Sequence, residues 1–176
     1  ECASGTDRLA YVAGKPEFSD YGIIANVQGD EPMLKHTEVD KAVNLLIANN
    51  ADVSTLAVKF RNKDDIKNPN CVKVVISNSG NGLYFSRSII PFPRDTELDI
   101  DNYLKHIGVY IYTRNALLRF AEMPPGKLEQ IEQLEQLRVL ENGFQILTGL
   151  VSHIAAGIDT PEQYADFVNR YRNHKA

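Results

Sequence analysis

YGIIANVQGDEP (residues 21–32) runs an apolar stretch directly into a glycine, two carboxylates and a proline. The run Tyr21–Ala25 and the turn residues around it read as a buried strand over 21–27. A turn there needs Gly29 and Pro32. It does not need Asp30 and Glu31 side by side at the strand's carboxyl end, where open α/β sheets place their ligands. Downstream, Thr37-Glu38-Val39-Asp40 starts a helix with acids in its first turn, and Val39, Ala42, Val43, Leu46 and Ile47 follow helical spacing. DVSTLAVK (52–59) is β-branched and strand-like. Strand, helix and strand in that order predict a βαβ unit and a parallel sheet of the α/β class.

The middle of the chain has another texture. CVKVVIS (71–77) and LYFSRS (83–88) flank Asn78-Ser79-Gly80-Asn81-Gly82, a hairpin signal, because asparagine and glycine accept positive φ. A proline-punctuated loop, IIPFPRD (89–95), follows, and YLKHIGVYIYT (103–113) returns to strand character. LEQIEQLEQLRVLENG (128–143) predicts one helix, with Leu128, Ile131, Leu134, Leu137 and Leu140 as its apolar stripe and Gly143 as its stop. In GIDTPEQY (157–164), Thr160 is an N-cap, Pro161 takes the first helical position and Gln163 completes a capping box.

Two aspartates therefore occupy similar settings. Asp30 follows one apolar strand; Asp159 follows the apolar stretch 150–156 and precedes a capped helix. If the two strands are neighbours, both carboxylates face one crevice, and paired hard oxygen ligands suit Mg²⁺. Read alone, either aspartate is more simply explained as shaping a turn or capping a backbone.

Composition narrows the class. The 176 residues suffice for one domain with a sizeable core, and 43% hydrophobic with 24% charged residues is ordinary for a globular protein. Nineteen basic against 23 acidic residues give a net charge of −4, which supplies no electrostatic footprint for nucleic acid and no polybasic patch for a membrane. No apolar run approaches the ~20 residues of a membrane span. Cys2 and Cys71 lack metal-type spacing and read as free thiols in a reducing compartment, so a cytoplasmic location is expected.

SGTDR (4–8), NVQGDEP (26–32), NPNCVKVV (68–75), LYFSRSIIPFPRD (83–95), YLKHIGVYIY (103–112), LEQIEQLEQLRVLENG (128–143) and GIDTPEQY (157–164) occur in this order. Together, from residue 3 to about residue 170, they resemble the 3-deoxy-manno-octulosonate cytidylyltransferases, or CMP-Kdo synthetases. The resemblance implies a Rossmann-like nucleotidyltransferase with a mostly parallel sheet flanked by helices. It implies one domain over 1–176, with 71–112 as an inserted hairpin region for sugar binding and dimerisation. The implied reaction transfers CMP from CTP to Kdo, yielding CMP-Kdo and pyrophosphate for lipopolysaccharide core synthesis. Asp30 and Asp159 would bind Mg²⁺ and be catalytic; Gln28, Arg87, His106, Tyr110, Glu135 and Gln136 would bind the sugar, Arg87 through its carboxylate; Ser4, Gly5, Thr6 and Arg8 would hold the nucleotide. Arg138 is expected to pair with neighbouring acids. The homodimer implied by the resemblance gains weak support from an apolar and aromatic stretch, Tyr84, Phe85, Ile89, Ile90 and Phe92, not expected to be wholly buried within one small subunit.

The family's strand and arginine-bearing phosphate loop, of the type PARxxSxRLPGKPL, have no counterpart here. The corresponding expectation is that N-terminal βα units are absent from this chain and that these residues alone turn over little. A cytidylyltransferase for a related sugar acid, such as 8-amino-Kdo or a sialic acid, is one alternative. A non-catalytic sugar- or nucleotide-binding fragment is another.

Overall fold

The computed structural model describes residues 5–29, 31–32, 34–152 and 161–173. In chain order the elements are α1 (Gly5–Ala13), β1 (Ile23–Val27), α2 (His36–Ala48), β2 (Val53–Lys59), α3 (Lys63–Lys67), β3 (Lys73–Ile76), β4 (Gly82–Ser86), β5 (Leu104–Thr113), α4 (Arg114–Glu122), α5 (Lys127–Glu132), α6 (Gln136–Glu141), β6 (Ile146–Val151) and α7 (Pro161–Asn173). The strands form one sheet in the order β4-β3-β5-β2-β6, with β1 pairing β5 beside β3.

β5 is the longest strand and lies at the middle of the sheet, because its apolar run can be buried on both faces. Its side chains alternate. Ile107, Val109 and Ile111 pack with Leu56 against Ala42 and Leu46 of α2. Tyr110 and Tyr112 face the opposite core, with Phe85, Leu117, Phe120 and Leu137. The pairing with β2 shifts between Thr55 and Leu56, so Thr55 lies opposite Tyr110 while Leu56 lies opposite Ile107. This bulge keeps the even-numbered residues on one face, because two extra residues restore the pleat.

The α/β class, the flanking helices and the hairpin stand as read. β3 and β4 pair antiparallel, and Ser77 N donates to Asn81 O at 2.8 Å across a turn in which Gly80 takes φ +83°. α7 begins at Pro161.

Three expectations are corrected. Among the described strands the parallel pair is β2 with β6; the β1–α2–β2 unit is present, but β5 enters between its two strands, antiparallel to both. β1 is not buried: Ile23 is 36% and Val27 45% exposed, and β5 is its only partner among the described residues. An apolar run signals a strand but does not say how many neighbours it has. The single helix of 128–143 is two, α5 and α6, broken at Gln133, which takes φ +53°. Ile131 of the supposed stripe is 69% exposed, whereas Leu134 and Leu137 are buried.

The break is held from outside. Arg87 donates from Nε to Glu132 O (2.7 Å), from Nη2 to Gln133 O (3.2 Å) and from Nη1 to Pro69 O (3.0 Å). The Glu132 carboxylate returns the contact, accepting from Ser86 Oγ at 2.6 Å and from Arg87 N at 2.9 Å. Carbonyls freed at a helix end need donors, and a guanidinium supplies several in one plane. A second brace lies beyond it, where buried Arg138 of α6 grips Glu129 of α5 bidentately, Nε–Oε2 2.7 Å and Nη2–Oε1 2.5 Å.

Candidate active site

A cleft of about 840 Å³ opens over the face of β5 that carries the even-numbered side chains. The N-terminus of α1, the end of β1 and the α5–α6 break form its other walls. Gly5, Thr6 and Arg8 line it from α1, Gln28 from the end of β1, Arg87 from β4's exit, His106 and Tyr110 from β5, and Glu135 and Gln136 from the break. The structure thus brings together the expected nucleotide and sugar residues that it describes. Ser4, Asp30 and Asp159 lie outside the described residues, although Gly29 and Glu31 both line the cleft.

The floor is an aromatic ladder. Phe85 meets His106 edge-on at 5.1 Å, His106 lies 5.2 Å from Tyr110, and Tyr110 stacks on Tyr112 at 6.0 Å. Tyr112 escaped the sequence reading, yet its parity with His106 and Tyr110 places it on the same face. Thr6 and Tyr112 both line the cleft, which places the start of α1 against this floor.

Polar groups of the floor and wall are in unusual states. His106 is buried and hydrogen-bonded to Thr55 Oγ1 at 3.0 Å. Burial, and then the charge of Lys105, lower its pKa to about 3, so the imidazole is neutral. Burial raises the pKa of the Tyr110 hydroxyl well above its ordinary value, with Tyr112 and the Glu135 carboxylate adding to the effect. Tyr110 Oη and Glu135 Oε2 are buried with no hydrogen-bond partner among the described residues. Such groups cost about 1–3 kcal/mol each when left unmade, so a pair of them in one cleft marks where ligand hydroxyls or water belong.

Gln28 approaches the β5 bulge closely. A Cβ at Gly108 would lie 2.9 Å from Gln28 Cδ, so only glycine leaves the carboxamide its place. Arg8, Arg87 and Lys105 contribute positive charge to the lining, and Glu31 and Glu135 negative charge.

Arg87 also has a structural role. Its Nε and Nη2 edge, the fork that would grip a sugar carboxylate, is engaged by Glu132 O and Gln133 O. It lines the cleft but acts first as the clamp on the helix break, a role invisible to a reading that took 128–143 as one helix. Arg138 pairs with an acid as expected, and the partner is Glu129. Among the described residues no group of three or more His, Cys, Asp or Glu side chains is placed to hold a metal. Cys71 is buried.

The cytidylyltransferase family profile matches residues 1–146. A 3-deoxy-manno-octulosonate cytidylyltransferase of Rhodopirellula baltica is 44% identical over 177 residues, covering 97% of this chain and 70% of that protein. The enzyme of the same name from Acidobacterium capsulatum is 46% identical over 162 residues, covering 92% of this chain and 64% of that protein. A solved structure of CMP:2-keto-3-deoxy-manno-octonic acid synthetase complexed with CTP superposes with a TM-score of 0.87 at 35% identity, covering 98% of this chain and 69% of that one. The chain therefore spans about two thirds of the length of the relatives it matches. It belongs to the cytidylyltransferase family, among the 3-deoxy-manno-octulosonate cytidylyltransferases.

Proposed function

We propose that these residues form the sugar-binding part of an enzyme that transfers CMP from CTP to Kdo, releasing pyrophosphate. In this reaction the anomeric hydroxyl of the sugar acid attacks the α-phosphate of CTP. The new P–O bond joins sugar to CMP as the bond to the β-phosphate breaks. The observation that carries the reading is the pair of buried polar atoms without partners among the described residues, Tyr110 Oη and Glu135 Oε2, beside neutral His106 in one cleft. Acceptors and a phenol in a shielded wall suit a ligand rich in hydroxyls. Arg8 and Lys105 in the lining favour a negatively charged ligand.

The residues of this chain divide the work. Gly5, Thr6 and Arg8 of α1 would steady the nucleotide. Gln28, His106, Tyr110, Glu135 and Gln136 would orient the sugar so that its hydroxyl meets the phosphorus, the positioning on which nucleotidyl transfer mostly depends. Asp30 and Asp159 would hold Mg²⁺, since two carboxylates and few other protein ligands leave room for water and phosphate oxygens. A divalent cation so held supplies charge neutralisation at the phosphates and eases deprotonation of the attacking hydroxyl. A homodimer built through the hairpin and following loop accords with the exposure of Leu83 (60%) and Phe92 (79%), and cytoplasmic lipopolysaccharide synthesis is the setting.

The test is pyrophosphate release by the full-length protein with CTP and Mg²⁺, competing Kdo, 8-amino-Kdo and sialic acid. Kdo should be preferred. Asp30→Asn and Asp159→Asn should each lose more than the ~10–100-fold that removal of an outer metal partner costs. No CTP-dependent turnover with any of the three sugars would refute the enzymatic reading and leave a binding module.

A further inference from the structure

We infer that Thr55 is a positioning residue that locks His106 as the tautomer protonated on Nε2, leaving Nδ1 as the acceptor offered to a ligand hydroxyl. Thr55 lies in β2 and is fully buried. Its Oγ1 is 2.7 Å from Val109 O and 3.0 Å from His106 Nε2. A hydroxyl has one proton. Two oxygens at 2.7 Å require a proton between them, and a carbonyl has none, so the Thr55 proton lies toward Val109 O. Thr55 Oγ1 then faces His106 with a lone pair only, and the imidazole must donate from Nε2. His106 is neutral, its pKa lowered to about 3 by burial and then by Lys105, so the other nitrogen carries no proton. His106 Nδ1 has no hydrogen bond to the described residues, and His106 lines the cleft.

The bulge explains why threonine can do this. Thr55 lies at the register shift, opposite Tyr110, where β5 carries two residues that β2 does not match. The carbonyl of Val109, one of those two, takes the hydroxyl proton and sets its direction. The backbone and the ring are held elsewhere too. The His106 backbone N–H donates to Val72 O at 2.9 Å, and the Phe85 and Tyr110 rings flank the imidazole. Without the Thr55 acceptor the contacts would fix the ring's plane but not its proton.

The inference rests on the sugar-binding reading only for the identity of the ligand; the tautomer is a property of the protein alone. The test is long-range ¹H–¹⁵N correlation of ring-labelled histidines in the full-length protein, with His106 assigned against His106→Gln. The expected pattern is a single neutral Nε2–H tautomer. Thr55→Ser should keep it. Thr55→Val should give a mixture or the Nδ1–H form, with KM for the sugar acid raised about 10-fold, the value of one neutral hydrogen bond, and kcat within about 3-fold. An imidazolium or an Nδ1–H pattern in the wild-type protein overturns the inference, as does a Thr55→Val protein with an unchanged tautomer and KM. Should Thr55→Val not fold, the wild-type and Thr55→Ser spectra decide. An Nε2–H pattern in a protein that does not turn over Kdo would uphold the inference while the sugar reading fails.

Discussion

Replacing Arg138 by methionine should cost about 4 kcal/mol of stability, and the figure follows from what the guanidinium touches. Arg138 and Glu129 are 4% and 8% exposed. Their two charge-assisted bonds are 2.5 and 2.7 Å long, the guanidinium lies 4.7 Å over the Phe120 ring, and Asp7 of α1 stands 3.8 Å from Nη1. Methionine keeps much of the volume but leaves the Glu129 carboxylate buried with, among the described residues, only the Gly126 amide, at 2.9 Å, to satisfy it. Breaking one side of a buried ion pair costs about 3–5 kcal/mol, a large share of a domain's 5–15 kcal/mol. At about 2–4 °C per kcal/mol for this size, Tm should fall by roughly 8–16 °C. Urea denaturation of wild type, Arg138→Met, Glu129→Gln and the double variant tests this. The double variant should regain about 2 kcal/mol relative to the sum of the singles, since neither charge is then left alone. A loss below about 1 kcal/mol in Arg138→Met would refute the reasoning. The pH dependence has a definite sign. Burial would raise the Glu129 pKa, but hydrogen bonds from Arg138 and the Gly126 amide, with the guanidinium's charge, outweigh it and lower the folded value. The pair's contribution is complete above the unfolded carboxyl's pKa of about 4.3 and disappears as pH falls through the lower folded value. Arg138→Met should lack that acid step.

Tyr110→Phe removes a buried hydroxyl without a partner among the described residues, so stability should be unchanged or rise by up to about 1 kcal/mol in chemical denaturation. The same variant should raise KM for the sugar acid about 10-fold, and a destabilised variant with normal KM would assign the hydroxyl to the fold instead. Gly108→Ala pushes only the far end of the Gln28 side chain, so it should unfold within about 1 kcal/mol of wild type yet weaken sugar binding in calorimetric titration. Equal affinity in the two proteins would remove Gln28 from the site.

Local pattern alone carried much of this protein. Alternation in YLKHIGVYIYT yields a strand at 104–113 with His106 and Tyr110 on one face, the Asn-Gly cluster yields the hairpin, and Pro161 yields the start of α7. These features depend on a residue and its near neighbours in sequence, and the steric and pleat rules that govern them are local. The α4 helix was also legible, since Thr113 Oγ1 caps Ala116 N at 3.2 Å and Leu117 and Phe120 follow at helical spacing, but a strand reading that ran through residue 113 hid it. Tertiary structure decided the rest. An apolar run at 23–27 is the same whether the strand has one partner or two, so its exposure depends on what pairs beside it. The leucine stripe of 128–143 satisfies helical spacing, yet the chain turns at Gln133 because Arg87, 46 residues earlier, donates to the carbonyls there. The His106 tautomer depends likewise on Thr55, 51 residues away, and on a bulge that neither segment shows by itself. Hydrogen bonds that close loops of this length exist only once the whole sheet has formed, and a window along the chain cannot contain both partners.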